Sequence, residues 1–287
     1  MLPSKKIYID SRHRTADSFS SSNFKIELPY SIQLPENTVF FITDVSIPHV
    51  FQLIEQDVND RIYYMYNATR KDNPIIMYRI LTYITLPPGN YTGSTLASNI
   101  NQLMNNEANI GFKNITFNAS WQESTYSINV SCSGTNSSFK FFTHAEITSD
   151  ENRNYWSNSF DPADPKSAND TLKIFTPTKL FMDGETFQSD FISTQPMYNI
   201  YITSPNLGSF DTISTFSNNV IKKVPITVPY GYMIVDQNSS PNDYLNCSRQ
   251  SLRTIEFHLK DSRGRYINLH GMHVSFSIVF NKFNVNE

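Results

Sequence analysis

A chain of 287 residues has room for one large β domain or two smaller domains, either of which could bury a core without disulfide or metal staples. Its net charge of −3 supplies no basic field for holding nucleic acid through its phosphates, so sequence-specific nucleic-acid binding is not expected. No run approaches the ~18 apolar residues of a membrane span, and Met1-Leu2-Pro3-Ser4-Lys5-Lys6 lacks the apolar core of a secretory signal, so synthesis in the cytoplasm and no membrane partner are expected.

Aromatic residues are abundant and charged residues sparse, a mixture that suits strands and polar loops better than helices. In chain order, Ile7-Tyr8-Ile9 is a three-residue strand candidate followed by a Ser- and charge-rich stretch to Ser22. So little apolar surface does not offset the ordering entropy, which predicts that 1–22 is an arm that orders only on a neighbour. Phe24 to Leu28 alternates apolar and polar and is expected to end at Pro29; Val39 to Ile47 follows after the turn-like Leu34-Pro35-Glu36-Asn37, giving a hairpin-like pair. Ile62 to Tyr66 and Ile75 to Leu86 are two further strand candidates.

One segment breaks the β pattern. Leu96, Ile100, Leu103 and Met104 recur at helical spacing, with Ser94 or Thr95 as the expected N-cap. Strand candidates around Ile115 and Phe117, at Tyr126 to Val130 and at Phe139 to Phe142 complete a compact α+β unit over 75–145. From Glu146 to about Lys179 the chain is polar, broken by prolines and without a period, and it is expected to be a surface excursion. Strands resume at Met197 to Ile202, at Val220 to Val228 (an edge or bulge because of Pro225) and at Leu252 to Leu259. The last turns through Asp261-Ser262-Arg263-Gly264 into Tyr266 to Leu269, before a final strand at His273 to Phe280. Many short strands with turn signals between them predict a sandwich or jelly roll.

The search for chemistry yields little. Cys132 and Cys247 have no framework spacing and are expected to be buried free thiols. The Asn-x-Ser/Thr sites, such as Asn67 and Asn136, are about as frequent as this Asn- and Ser-rich composition yields by chance, and without a signal they are expected to stay unmodified. His270 and His273 stand three apart, which in a strand places them on opposite faces, so no metal site is expected. Asp10-Ser11-Arg12-His13 holds the residue types of a hydrolase triad without a nucleophile elbow or oxyanion loop, and a salt-bridged corner is the expected form. Asp161 and Asp164 lack the ligand count of a calcium loop, and no phosphate-cradling or cofactor fingerprint occurs. Neither a cofactor nor an enzymatic activity is expected.

Four stretches together resemble the minor capsid (penton) proteins of virophages, polinton-like viruses and related double-jelly-roll DNA viruses. They are Tyr8-Ile9-Asp10-Ser11-Arg12-His13-Arg14, Thr43-Asp44-Val45-Ser46-Ile47-Pro48, Leu86-Pro87-Pro88-Gly89-Asn90-Tyr91-Thr92-Gly93 with Leu96-Ala97 and Ile100, and the closing Leu252 to Phe280. His13 stands where an acidic residue is common in that family. The resemblance implies an all-β fold, a single jelly-roll β-sandwich over 1–74 and 180–287, with a small inserted α+β unit and surface excursion over 75–179. It also implies a homopentamer at a capsid vertex, beside a double-jelly-roll major capsid protein, in a virion assembled in the host cytoplasm or a viral factory.

A closed ring needs two unlike patches on each subunit. The candidate interface residues are Ile7, Tyr8, Ile9, Arg12 and Arg14 on the arm, and Phe210, Tyr230 and Tyr232 on aromatic loops. Lys5 and Lys6 join the arm's arginines as possible contacts for acidic groups on a neighbour. The alternative is a β-sandwich receptor- or glycan-binding spike or adhesin, with Trp156, Tyr155 and Trp121 as an aromatic platform.

Overall fold

The structure, a computed structural model, describes residues 5–111, 113–156, 160–195, 197–207, 219–238 and 243–282. Its strands are β1 (Lys5–Asp10), β2 (Asn23–Leu34), β3 (Thr38–Pro48), β4 (Arg61–Thr69), β5 (Met77–Thr85), β6 (Thr116–Gln122), β7 (Ser127–Ser133), β8 (Ser138–Phe141), β9 (Phe181–Met182), β10 (Thr186–Gln188), β11 (Asn199–Thr203), β12 (Val220–Pro225), β13 (Met233–Asp236), β14 (Leu245–Asn246), β15 (Gln250–Lys260) and β16 (Ser275–Lys282). Helices are α1 (Gly93–Ile110), α2 (His144–Thr148) and α3 (Asn169–Leu172). The chain divides into two compact units: Met1–Phe51 with Met197–Glu287, and Gln52–Pro196.

The first unit is a jelly roll. One antiparallel sheet runs β1-β16-β3-β13, with β14 also on β3, and the other runs β12-β11-β15-β2. Taken in chain order, the eight main strands of the unit go to the two sheets as first, last, third and sixth in one and second, seventh, fourth and fifth in the other, the double Greek key of that fold. Alternation drives it: Ile9, Phe40, Ile42, Ile234 and Ile278 from one sheet meet Phe24, Ile26, Ile202, Ile255 and Leu259 from the other in one core. Phe257 and Phe276 touch edge to face across it, with ring centroids 5.0 Å apart.

Three sequence expectations change here. β2 does not stop at Pro29 but continues to Leu34, because residues 28–31 bulge opposite Arg253 of β15 and β2 is an edge strand that tolerates a missing N–H. β2 and β3 are not a hairpin: their apolar faces meet through the core from different sheets, and Asn37 in the connection adopts φ 62°. Of the segment 1–22, the described residues from Lys5 onward are not a free arm. β1 pairs with β16 from Lys5↔Phe280 to Asp10↔Ser275, Ile9 is buried, and Ser11 N–H donates to Val274 O at 2.9 Å. The short apolar run suffices because β16 was already half a sheet, so β1 adds backbone bonds and a buried isoleucine to a formed edge.

The second unit holds sheets β5-β4-β8-β9 and β10-β7-β6. β4 is covered on both faces, with Ile62, Tyr64, Tyr66 and Ala68 in the larger core under α1 and Tyr63 and Met65 in a second cluster with Phe142, Ile147 and Trp156. The unit boundaries therefore fall at 51/52 and 196/197, where the sequence suggested 74/75 and 179/180: β4 pairs with β5 and β8, and β9 with β8. The 146–179 stretch is not a surface excursion. Ala168, Leu172 and Ile174 are buried, and buried Trp156 donates from Nε1 to Ile147 O at 2.9 Å; their spacing is irregular, so no period shows them. α1 is capped by Thr92 rather than Ser94 or Thr95, in a capping box with Thr95, and its stripe of Leu96, Ile100 and Met104 is buried with Leu103 partly so.

Candidate assembly surfaces

The outer face of the β1-β16-β3-β13 sheet carries the clearest candidates. Along β1, Ile9 points into the core, so Lys6 and Tyr8 point out, and Tyr8 is 76% exposed opposite Ser277. Asp44 adopts φ 53° where the β16–β3 register slips, which turns its carboxylate outward to Lys6 Nζ at 2.5 Å. That hydrogen bond raises the Lys6 ammonium above its ordinary value and lowers the Asp44 carboxyl. Lys6 also lies 5.2 Å from the Tyr8 ring centroid, so the β1 edge presents an exposed tyrosine beside a Lys–Asp ion pair.

The opposite edge of the same sheet is apolar. Ile234 of β13 is buried, whereas Met233 and Val235 on either side are exposed, as are Tyr230 and Tyr232 in the turn before them. This turn is clamped to the end of β3: His49 N–H donates to Tyr232 O at 2.9 Å, Gly231 N–H to His49 O at 2.8 Å, and His49 Nδ1 lies 2.8 Å from Val228 O. Gly231, at φ 87°, supplies the left-handed residue the turn requires. Nearby on β3, Phe41 packs against Tyr244 with ring centroids 5.0 Å apart. A rigid apolar surface of this kind loses little side-chain freedom when covered.

The structure thus separates Tyr8 from Tyr230 and Tyr232 onto opposite edges of one sheet. Of the other candidates, Ile7 is half-buried against the core and Ile9 is inside it, so neither side chain is free for a neighbour. Arg12 is held by Asp10 through Nε and Nη2, the latter at 2.6 Å, a bond that lowers the Asp10 carboxyl. Arg14 donates to Ser11 O at 3.1 Å and lines a hollow of about 370 Å³ with Phe19, Tyr266 and His270. Phe210 lies outside the described residues.

No protein family matches the chain, and no curated protein does. Among solved structures it is similar to a crystal structure of the mavirus penton protein, 12% identical, with a TM-score of 0.47 and coverage of 97% of this chain and 100% of that one.

The triad-like residues form a corner. Asp10 caps a short 3-10 turn over Ser11–His13, and buried Ser11 accepts from Val274 N–H at 3.0 Å through Oγ, 3.2 Å from His273 Nδ1. His270 is exposed, and among the described residues no three His, Cys, Asp or Glu side chains gather as a metal site would require. Sequence reasoning passed over Met233, Val235 and Tyr244. The signal for the first two was present in Tyr232-Met233-Ile234-Val235-Asp236, a strand whose outward positions are apolar.

Proposed function

We propose that this chain is a structural subunit of a capsid vertex, a jelly roll that closes into a homopentamer beside a double-jelly-roll major capsid protein in the virion. The role is assembly and not catalysis. The observation that carries the reading is the pair of unlike patches on opposite edges of one sheet: Tyr8 beside the Lys6–Asp44 ion pair on one, apolar Tyr232, Met233 and Val235 on the other. A heterologous ring joins two different patches of each subunit and closes when the rotation between them divides the circle. The four penton-like stretches of sequence support the same reading. The adhesin alternative loses its best platform residue, because Trp156 is buried.

Mass photometry of the purified protein tests it. The expected species has five times the 33.0 kDa chain mass, and Met233→Asp with Val235→Asp, or Tyr8→Asp, converts it to monomer with the melting temperature kept. A monomer or trimer in the unmutated protein, at all concentrations and within capsids, overturns the reading.

A further inference from the structure

The β4–β5 connection of the second unit leaves three consecutive apolar side chains in solvent: Ile75 is 91% exposed, Ile76 48% and Met77 43%. Scattered apolar residues are normal on a surface, but a contiguous exposed run is a solubility cost that a sequence keeps for a contact. The loop is held in shape by its own side chains. Arg70 chelates Asp72 at 2.8 and 2.6 Å, Asn73 N–H donates to Arg70 O at 3.3 Å, and Ile75 N–H donates to Asn73 Oδ1 at 3.3 Å. Met77 pairs with Thr69 across the hairpin, so the isoleucines sit at its tip.

Cations surround this tip. Lys113 bridges to Arg70 through the backbone, with its ammonium 3.9 Å from the Tyr78 ring centroid. Lys71 Nζ donates to Asn109 Oδ1 at 3.2 Å, which brings exposed Ile110 at the end of α1 to the same end of the unit. Arg79, two residues beyond Met77 on the same face of β5, is exposed and has no carboxylate partner among the described residues. The carboxylates nearby in the chain, Asp72 and Glu107, are engaged by Arg70 and by Thr82.

We propose that this hairpin tip is a contact for an anionic lipid bilayer, with Ile75, Ile76 and Met77 entering the boundary between headgroups and acyl chains and Lys71, Arg79 and Lys113 meeting lipid phosphates. A convex aliphatic tip needs a partner that makes its own cavity, which a bilayer does and a folded protein does only with a preformed groove. The basic collar supplies the charge complementarity that anionic headgroups require. The expectation of no membrane partner rested on the lack of a spanning run; no helix among the described residues is long and apolar enough to cross a membrane, but surface attachment needs no span.

Flotation of the full-length protein with phosphatidylcholine vesicles, with and without phosphatidylserine, tests the proposal. Binding is expected only to the phosphatidylserine vesicles and weaker at high salt. It should fall roughly tenfold or more in Ile75→Asp/Ile76→Asp and in Lys71→Glu/Arg79→Glu, each with an unchanged circular dichroism spectrum. Absence of flotation by the unmutated protein overturns it, as does equal flotation of the isoleucine variant. A variant that floats normally but changes the particle mass in mass photometry would assign the tip to a protein contact instead.

Discussion

Lys222 of β12 and Asp236 of β13 form an ion pair 3.5 Å apart, with both side chains less than a tenth exposed, and it ties an edge of one jelly-roll sheet to an edge of the other. Lys222 Nζ also donates to Asn238 O at 2.6 Å, so the buried ammonium is solvated by protein groups on the far sheet. Removing Lys222 leaves the Asp236 carboxylate buried without its cation, and removing Asp236 leaves the buried ammonium only the partly exposed Asp243 carboxylate at 3.7 Å. Lys222→Met or Asp236→Leu is expected to cost about 3–5 kcal/mol, while the double variant Lys222→Met/Asp236→Leu costs less than the two singles summed. Urea unfolding of the four proteins in a double-mutant cycle measures the coupling.

The N-terminal strand belongs to the folded unit, which reverses the expectation for an assembly arm. Ile9 is buried among Phe276, Ile278 and their neighbours, and Ile9→Ala is expected to destabilise by about 2–5 kcal/mol. Deleting residues 1–22 should lower the melting temperature of the isolated subunit markedly. An unchanged melting curve would restore the arm.

Both thiols are inert in the folded chain. Burial pushes the Cys247 thiol up to about 12, and burial also raises Cys132, against a partial offset from Ser137. Neither presents thiolate near neutral pH. Ellman titration is expected to find no fast-reacting thiol in native protein and two after denaturation without reductant.

Glu146 makes the second unit sensitive to acid. Burial alone would raise its carboxyl, but the bonds from Lys140 at 2.6 Å and from Thr143 at 2.9 Å outweigh it and hold the group below its ordinary 4.5. A folded value below the unfolded one means that this stabilisation is complete above 4.5 and is lost as pH falls through the lower folded value. Glu146→Gln lacks the charge at every pH. The gap in melting temperature between it and the unmutated protein is expected to be widest near neutrality and to narrow below pH 4.5.

Excision tests the unit boundaries. A chain in which a flexible linker replaces residues 52–196 keeps the whole two-sheet core and is expected to fold, as read by circular dichroism and a cooperative melt. Removing only 75–145 strips β5, α1 and β8 from β4, exposing Tyr63, Tyr64 and Tyr66, and is expected to give insoluble protein.

Much of this protein is legible in its sequence because one-sided burial leaves a period. The alternation in Phe24 to Leu28, Val39 to Ile47 and Val274 to Phe280 marks strands with one wet face, and the Leu96, Ile100, Met104 spacing marks α1. Burial on both faces, or by an irregular chain, leaves no period, so the sequence pattern places β4 in the other unit and makes the cover built from Trp156, Leu172 and Ile174 look like loop. The pairing of β1 with β16 joins residues at opposite ends of the chain, and no local pattern can report a partner that distant. Only the tertiary structure decides that Tyr8 and Tyr232 lie on opposite edges of one sheet, because strand order is set by which apolar faces meet across the core and not by the spacing of residues along the chain.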